Sequence, residues 1–318
     1  MRIGLLSNTR SERNRKGMTG LAAVIDQAPE ILHRSFRPDE GFGPPLRTMA
    51  EAGVELVVVN SGDGTVHGVL TELLAQQPFA TVPRLAILPR GMANMSAADC
   101  GLKGSGPDTL ERLLTACRRG TVDDHLAPRH VLKVDYADDQ VAPRGMFMGA
   151  ASIVDVINHV KGKLHSRGIK GEWSHAAAIV GLLTGVVTKG YAALGLKPHQ
   201  VGVAADGMPR QDERLLILIA TSLERLVLRS RPFWGTQGRP IRHMRIGYEP
   251  KRLIRLAPRI LYGDDGRKLP ENDYRSGGAA QLELWLDAPF TIDGEFFTPD
   301  PTRPVRVTAD EVVRFVRL

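Results

Sequence analysis

The sequence predicts an α/β protein of two domains: an N-terminal α/β domain on a parallel sheet, then a C-terminal domain rich in antiparallel β-structure. Three observations carry that prediction. Residues 1–125 alternate short β-branched apolar runs with segments of helical periodicity. Two of those runs end in glycine-bearing loops that open helices, the arrangement of an open α/β sheet. Beyond Ala127-Pro128-Arg129 the pattern changes to a series of strand-length runs. The expected division is 1–127 for the first domain and 128–307 for the second, with 308–318 returning to the first.

Taken in order, Arg2–Ser7 reads as a buried strand, followed by Asn8-Thr9. A helix is predicted near 17–28. Residues 29–46 are rich in Pro and Gly and lack periodicity, so they read as a loop. Val57, Val58 and Val59 mark a strand near 54–59 that stops at Gly62-Asp63-Gly64. Val66, Val69, Leu70, Leu73 and Leu74 then follow helical spacing, giving a helix near 65–76. Arg84–Leu88 is a short buried strand ending at Pro89-Arg90-Gly91-Met92-Ala93-Asn94. A small-residue helix begins around Ala97 and Ala98, and another helix is predicted at 107–118. In the second domain, strands are predicted at 130–136, 145–152, 199–205, 213–221, 243–248, 281–287 and 305–307. A helical insert at about 171–196 interrupts them, and Glu311–Arg317 is the expected return to the first domain.

The first glycine loop carries the chemistry. Glycines permit close backbone approach, and a helix N-terminus offers unpaired N–H groups with partial positive charge. Strand, glycine loop and helix together suit phosphate. Asp63 is out of place there, because a carboxylate repels phosphate unless it holds Mg²⁺ or takes a proton from an attacking hydroxyl. Two structural readings compete. Asp63 can cap the following helix. Asp-Gly is also a common hairpin turn, and the chain has four such pairs, at Asp63, Asp206, Asp265 and Asp293.

SGDGT at 61–65, PRGMAN at 89–94 and DGE at 293–295 together resemble the diacylglycerol kinase catalytic-domain family, which includes bacterial lipid kinases and the sphingosine and ceramide kinases. Ser61 and His67 look more like the sphingosine kinase variant. The chain departs from the family at Met92, where the family has Thr or Ser, and at Met95, where many bacterial members have Asp. The acidic loop that some bacterial members use for a structural Mg²⁺ is not recognisable near 240–247, so the resemblance assigns no metal ligands. NAD kinases also carry a GGDGT loop, but the PxGxxN loop after the next strand favours the lipid kinases.

The resemblance implies an ATP-dependent lipid kinase acting on a diacylglycerol or sphingoid hydroxyl. It makes the first domain nucleotide-binding and the β-rich domain lipid-binding, with ATP–Mg²⁺ in the cleft between them. Asp63 would be the catalytic base, with Glu295 as a second catalytic carboxylate. Asn8, Ser61, Gly62, Gly64, Thr65, Gly91 and Asn94 would surround the nucleotide, while Asp155 is either a solvated aspartate at a helix start or a reader of the lipid head group. The alternatives are a catalytically impaired pseudo-kinase serving as a lipid-binding or regulatory module, and a soluble kinase of the NAD kinase type.

Composition fits this. The chain has 318 residues and 42% apolar content, enough for two cores. Its two cysteines have no metal-type spacing, which suits a reducing compartment. No apolar run is long enough to span a bilayer, and Ala176–Val187 is broken by Gly and Thr. The N-terminal apolar run is too short for a signal peptide. The expected location is therefore cytoplasmic, peripheral to the inner membrane surface. Net charge is +7, and residues 225–259 hold ten Arg and Lys with Glu249 inside the segment and Glu224 beside it. That cluster suits transient contact with an anionic membrane surface. Aromatic content of 5%, with no RNA-recognition or zinc pattern, argues against nucleic acid. A homodimer is compatible with the sequence.

Overall fold

The computed structural model describes residues 1–11, 14, 18–91, 94–155, 190–191 and 193–318. Two compact units emerge, one of Met1–His130 with Glu311–Leu318, the other of Val131–Asp310. The fold is α/β, with parallel strands toward the N-terminus and a β-rich C-terminal part.

In the first unit, strands β1 (Ile3–Asn8), β2 (Ile31–Phe36), β3 (Leu56–Ser61) and β4 (Arg84–Pro89) lie parallel in the order β2-β1-β3-β4. Every residue of β1 and β3 is buried, which is why these strands read as continuous apolar runs rather than alternating ones. On one face, Ile3, Leu5, Leu56 and Val58 pack against Leu21 and Val24 of α1 (Thr19–Asp26). Leu110, Leu113 and Leu114 of α5 (Pro107–Arg118) join them. Each such side chain contributes about 1.5–3 kcal/mol through burial. On the other side of the sheet, Met49 of α2 (Gly43–Glu51) sits against Gly4, where a Cβ would come within 2.6 Å of its sulfur. The ring of Phe42 lies against Gly68 of α3 (Asp63–Thr71).

The strand order has a functional consequence. The chain leaves β1 toward β2, then returns past β1 to β3. The carboxyl ends of β1 and β3 therefore flank a topological switch point, where open α/β sheets leave a crevice.

The second unit is antiparallel. β7 (Phe147–Ala151), β8 (His199–Ala205) and β10 (Ile241–Gly247) all pair with β9 (Gln211–Thr221). β12 (Gln281–Leu286) pairs with β8, β11 (Tyr274–Ala279) with β10, and β13 (Phe290–Ile292) with β7 and β14 (Glu295–Phe297). Asp293-Gly294 makes a tight two-residue hairpin between β13 and β14, with φ of 48° and 92°, and Asp206-Gly207, at 49° and 76°, opens the longer loop from β8 to β9. The remaining elements are α4 (Met95–Cys100), β5 (Leu126–Asp135), β6 (Arg144–Gly145), α6 (Leu253–Tyr262) and β15 (Val305–Val316).

Several local expectations need correction. Residues 29–46 are not a loop: they hold β2, a 3₁₀ turn at Pro38–Glu40 and the start of α2. β2 is the outermost strand of its sheet and carries exposed polar residues, which hid it. Pro44 and Pro45 lie in the first turn of α2, where a missing N–H costs nothing. The helix after β3 begins at Asp63 itself and passes into a π turn at Glu72–Gln76. β15 runs to Val316 rather than ending at 307, and Phe315 pairs in parallel with Leu85 of β4. β11 and α6 were not anticipated. β11 contains Gly277-Gly278, and a Cβ on Gly278 would fall 2.0 Å from the Thr236 carbonyl oxygen. Most of the expected insert at 171–196, including Ala176–Val187, lies outside the described residues.

Candidate active site: two glycine loops joined by a carboxylate

The loops after β3 and β4 touch through their glycines. A Cβ on Gly62 would lie 2.8 Å from the Gly91 Cα, and one on Gly91 would lie 2.5 Å from the Gly62 Cα. Neither position can carry a side chain unless backbone moves. The Arg90 N–H donates to the Ser61 carbonyl at 3.0 Å, which continues the β3–β4 ladder into the loops.

Asp63 fastens the two loops. It opens α3, but its carboxylate reaches across to α4. Oδ2 accepts the Met95 N–H and Oδ1 accepts the Ser96 N–H, both at 2.9 Å. These are orphan donors of the first turn of α4, and the negative charge sits at the positive end of that helix. Asp63 is thus a capping residue, though for the next helix rather than its own. A carboxylate oxygen has about two acceptor sites, so these two bonds orient the group without exhausting it.

Asn94 closes the second loop on itself. It sits at φ 49°, a left-handed conformation that Asn tolerates better than most residues. Its Oδ1 accepts the Gly91 N–H and its Nδ2 donates to the Gly91 carbonyl, each at 2.8 Å. Met92 and Ala93 lie outside the described residues.

Beneath the first loop is a buried polar floor. Asn8 Nδ2 donates to Thr65 Oγ1 at 2.8 Å, and Ser61 Oγ bonds the same oxygen at 2.7 Å. The side chains of Asn8, Ser61 and Thr65 therefore hold one another across β1, β3 and α3. Sequence reasoning missed the rest of this floor. Asn60 donates to Ser7 Oγ at 2.9 Å, and Asn14 Nδ2 donates to the carbonyls of Asn8 and Asn60, both at 2.9 Å. The one available signal was a polar residue, Asn60, at the end of a β-branched run. Also missed was the buried pair Asp99–Arg129, 3.0 Å apart, which ties α4 to β5. Nothing in the local sequence marks it.

In the second unit, Asp293 is buried in its turn and accepts the N–H groups of Met146 and Phe147 at 2.9 and 3.0 Å. That anchors the β13–β14 hairpin, at whose edge Glu295 stands exposed. Asp155 lies 3.4 Å from His199 Nε2, and Asp287 lies 3.3 Å from His199 Nδ1. One imidazole thus bridges two carboxylates. Among the described residues, no three His, Cys, Asp or Glu side chains group to hold a metal.

These loops follow the carboxyl ends of β3 and β4, the side of an open parallel sheet where ligands bind. Residues 23–123, which include both loops, match the family model of the diacylglycerol kinase catalytic domain, and over that segment the chain is similar to that family. It is 37% identical over 75 residues to "Probable lipid kinase YegS-like" of Enterobacter sp. (strain 638). That match covers 23% of this chain and 23% of the relative. A crystal structure of a diacylglycerol kinase from Bacillus anthracis str. Sterne superposes with TM-score 0.63 at 14% identity, covering 99% of this chain and 96% of that one. Yeast NADH kinase, solved with NADH, superposes with TM-score 0.50 at 9% identity, covering 100% of this chain and 84% of that one. At these identities the structural likeness is one of fold.

Proposed function

We propose that the protein is an ATP-dependent lipid kinase that moves the γ-phosphoryl group of ATP to a hydroxyl of a diacylglycerol or sphingoid lipid. The observation that carries this reading is the pair of glycine loops, locked together by a carboxylate at the switch point. Gly62, Gly64 and Gly91 leave backbone rather than side chain facing a ligand, and the first turn of α3 offers N–H groups with no intrahelical partner. That surface fits the phosphates of a nucleotide. Ser61, Thr65, Asn8 and Asn94 keep the loops in shape from behind.

Asp63 has a second task in this reading. Held in orientation by two N–H groups, it accepts the proton of the attacking lipid hydroxyl as the new O–P bond forms and the bond to ADP breaks. Mg²⁺, when bound with the nucleotide, neutralises charge on the phosphate oxygens. In such sites Mg²⁺ is commonly held by substrate phosphates, water and one or two carboxylates. Glu295 is assigned as a second carboxylate of the reaction. The reading is tested by Asp63→Asn and Glu295→Gln in a phosphoryl-transfer assay, run beside a thermal-unfolding measurement.

One observation favours a second reading. Both Asp63 oxygens already bond α4, so the residue has a structural reason to be present. In a pseudo-kinase that binds lipid without transferring phosphate, the same bonds would remain. ATP binding by calorimetry separates the two readings.

A further inference from the structure

Helix α6 presents an apolar face to solvent. At 100° per residue, Leu253, Leu256 and Ile260 share one side, and Ile260 is 3% exposed. Ile254, Pro258 and Tyr262 recur at i, i+4 and i+8 on the opposite side. Ile254 is 43% exposed and Tyr262 57%. Arg255 and Arg259 stand beside that stripe, one position further round, and both are exposed. An ordinary surface helix is polar on its outer side; this one is apolar there and basic at the margin.

The neighbouring loop extends the surface. Tyr262 Oη lies 3.4 Å from the Leu228 carbonyl, and the Arg231 N–H donates to the Leu261 carbonyl at 2.7 Å. The buried Arg267 guanidinium clamps loop to helix, bonding the carbonyls of Arg259, Ile260, Arg231 and Phe233. Leu228 and Arg229 both sit at positive φ, 58° and 56°, which is strained for side chains of this size. Leu228 is 37% exposed there, beside Tyr262. Exposed Arg229, Arg231, Lys251 and Arg252 add to the basic margin, against exposed Asp264 and Asp265 beyond the helix.

We infer that α6 and the Leu228 loop form a membrane-docking surface, with Ile254, Tyr262 and Leu228 entering the interface of an anionic bilayer and the flanking arginines meeting its head groups. The occupant follows from charge complementarity: an apolar stripe rimmed by basic residues is the pattern of an interfacial helix on anionic lipid. The inference deepens the lipid-kinase reading and rests on it for its purpose, since such an enzyme must visit the surface that holds its acceptor. It also changes which arginines matter. Arg242 and Arg245, in the same basic segment, are engaged internally, Arg242 with the carbonyls of Ser222 and Leu223 and Arg245 with Glu213.

The test is cosedimentation of the full chain with vesicles of phosphatidylcholine, with and without phosphatidylglycerol. Wild type binds the anionic vesicles and is released by salt. The variant I254S/Y262S binds at least about tenfold more weakly, while Arg242→Gln leaves binding unchanged. Circular dichroism checks folding, and a short-chain diacylglycerol in solution, needing no membrane, is phosphorylated by the variant as by wild type. Equal binding by wild type and I254S/Y262S overturns the proposal. So does a wild-type dimer in sedimentation that the same variant dissociates, since the face would then belong to a second copy. Should wild type phosphorylate no lipid and yet bind vesicles through this face, docking stands and the kinase reading fails.

Discussion

At the residue scale, Asp63 carries the most consequence. Asp63→Asn replaces one acceptor with an NH₂ group facing an N–H donor, which leaves a first-turn donor of α4 unsatisfied at a cost of about 1–3 kcal/mol. The same change removes the proposed base, which should lower kcat by at least about a hundredfold. A variant that loses stability in thermal unfolding but keeps most of its turnover would make Asp63 a cap and nothing more. Gly62→Ala sets a Cβ 2.8 Å from the Gly91 Cα, and the backbone shift it forces should cost about 1–3 kcal/mol and weaken ATP binding. Wild-type ATP affinity in Gly62→Ala, measured by calorimetry, would mean that the contact between loops is not needed for the nucleotide.

His243 supplies a pH dependence at the same scale. Burial lowers its pKa from 6.5 to about 4, and its Nδ1 has no hydrogen-bond partner among the described residues. Between those values the unfolded chain binds a proton that the folded chain does not. Stability therefore falls as pH is lowered through that window, by about 2 kcal/mol from near pH 7 to near pH 5. Denaturant titration of His243→Gln should show a flatter pH profile than wild type. An unchanged slope would place the titrating group elsewhere.

At the element scale, the parts that were legible in sequence are those buried either throughout or with a helical period. β3 and α3 declared themselves through Val57–Val59 and the helical spacing from Val66 to Leu74. α5 did so through Leu110, Leu113 and Leu114. β2 was hidden because an outer strand keeps polar residues, and α6 because Pro258 stands inside it and Arg255 and Arg259 read as part of a basic cluster. The glycine loops were readable as motifs. The reach of Asp63 to α4 was not, since it depends on where two strands place two loops. Asn94 is the element-scale test of that second loop. Asn94→Gly preserves the left-handed conformation and removes both bonds to Gly91, whereas Asn94→Ala adds the strain of positive φ. The expected order of stability is wild type, then Gly, then Ala, by chemical denaturation. Ala more stable than Gly would mean that the loop does not hold the conformation described.

At the scale of the whole molecule, a net charge of +7 favours association with anionic surfaces that weakens as salt rises, because screening shortens the attraction to about 8 Å at physiological ionic strength. Among the described residues, no helix is long and apolar enough to cross a membrane. In the proposed reaction the paired loops hold ATP while its γ-phosphoryl group passes to a lipid hydroxyl. The measurement that tests it most directly is transfer of label from γ-labelled ATP to diacylglycerol, sphingosine, ceramide and phosphatidylglycerol in mixed micelles with Mg²⁺, wild type beside Asp63→Asn. Wild type should yield a labelled lipid, and the variant at least about a hundredfold less. Wild-type protein that binds ATP but labels none of these lipids, or a variant that labels them as fast as wild type, would contradict the proposed reaction.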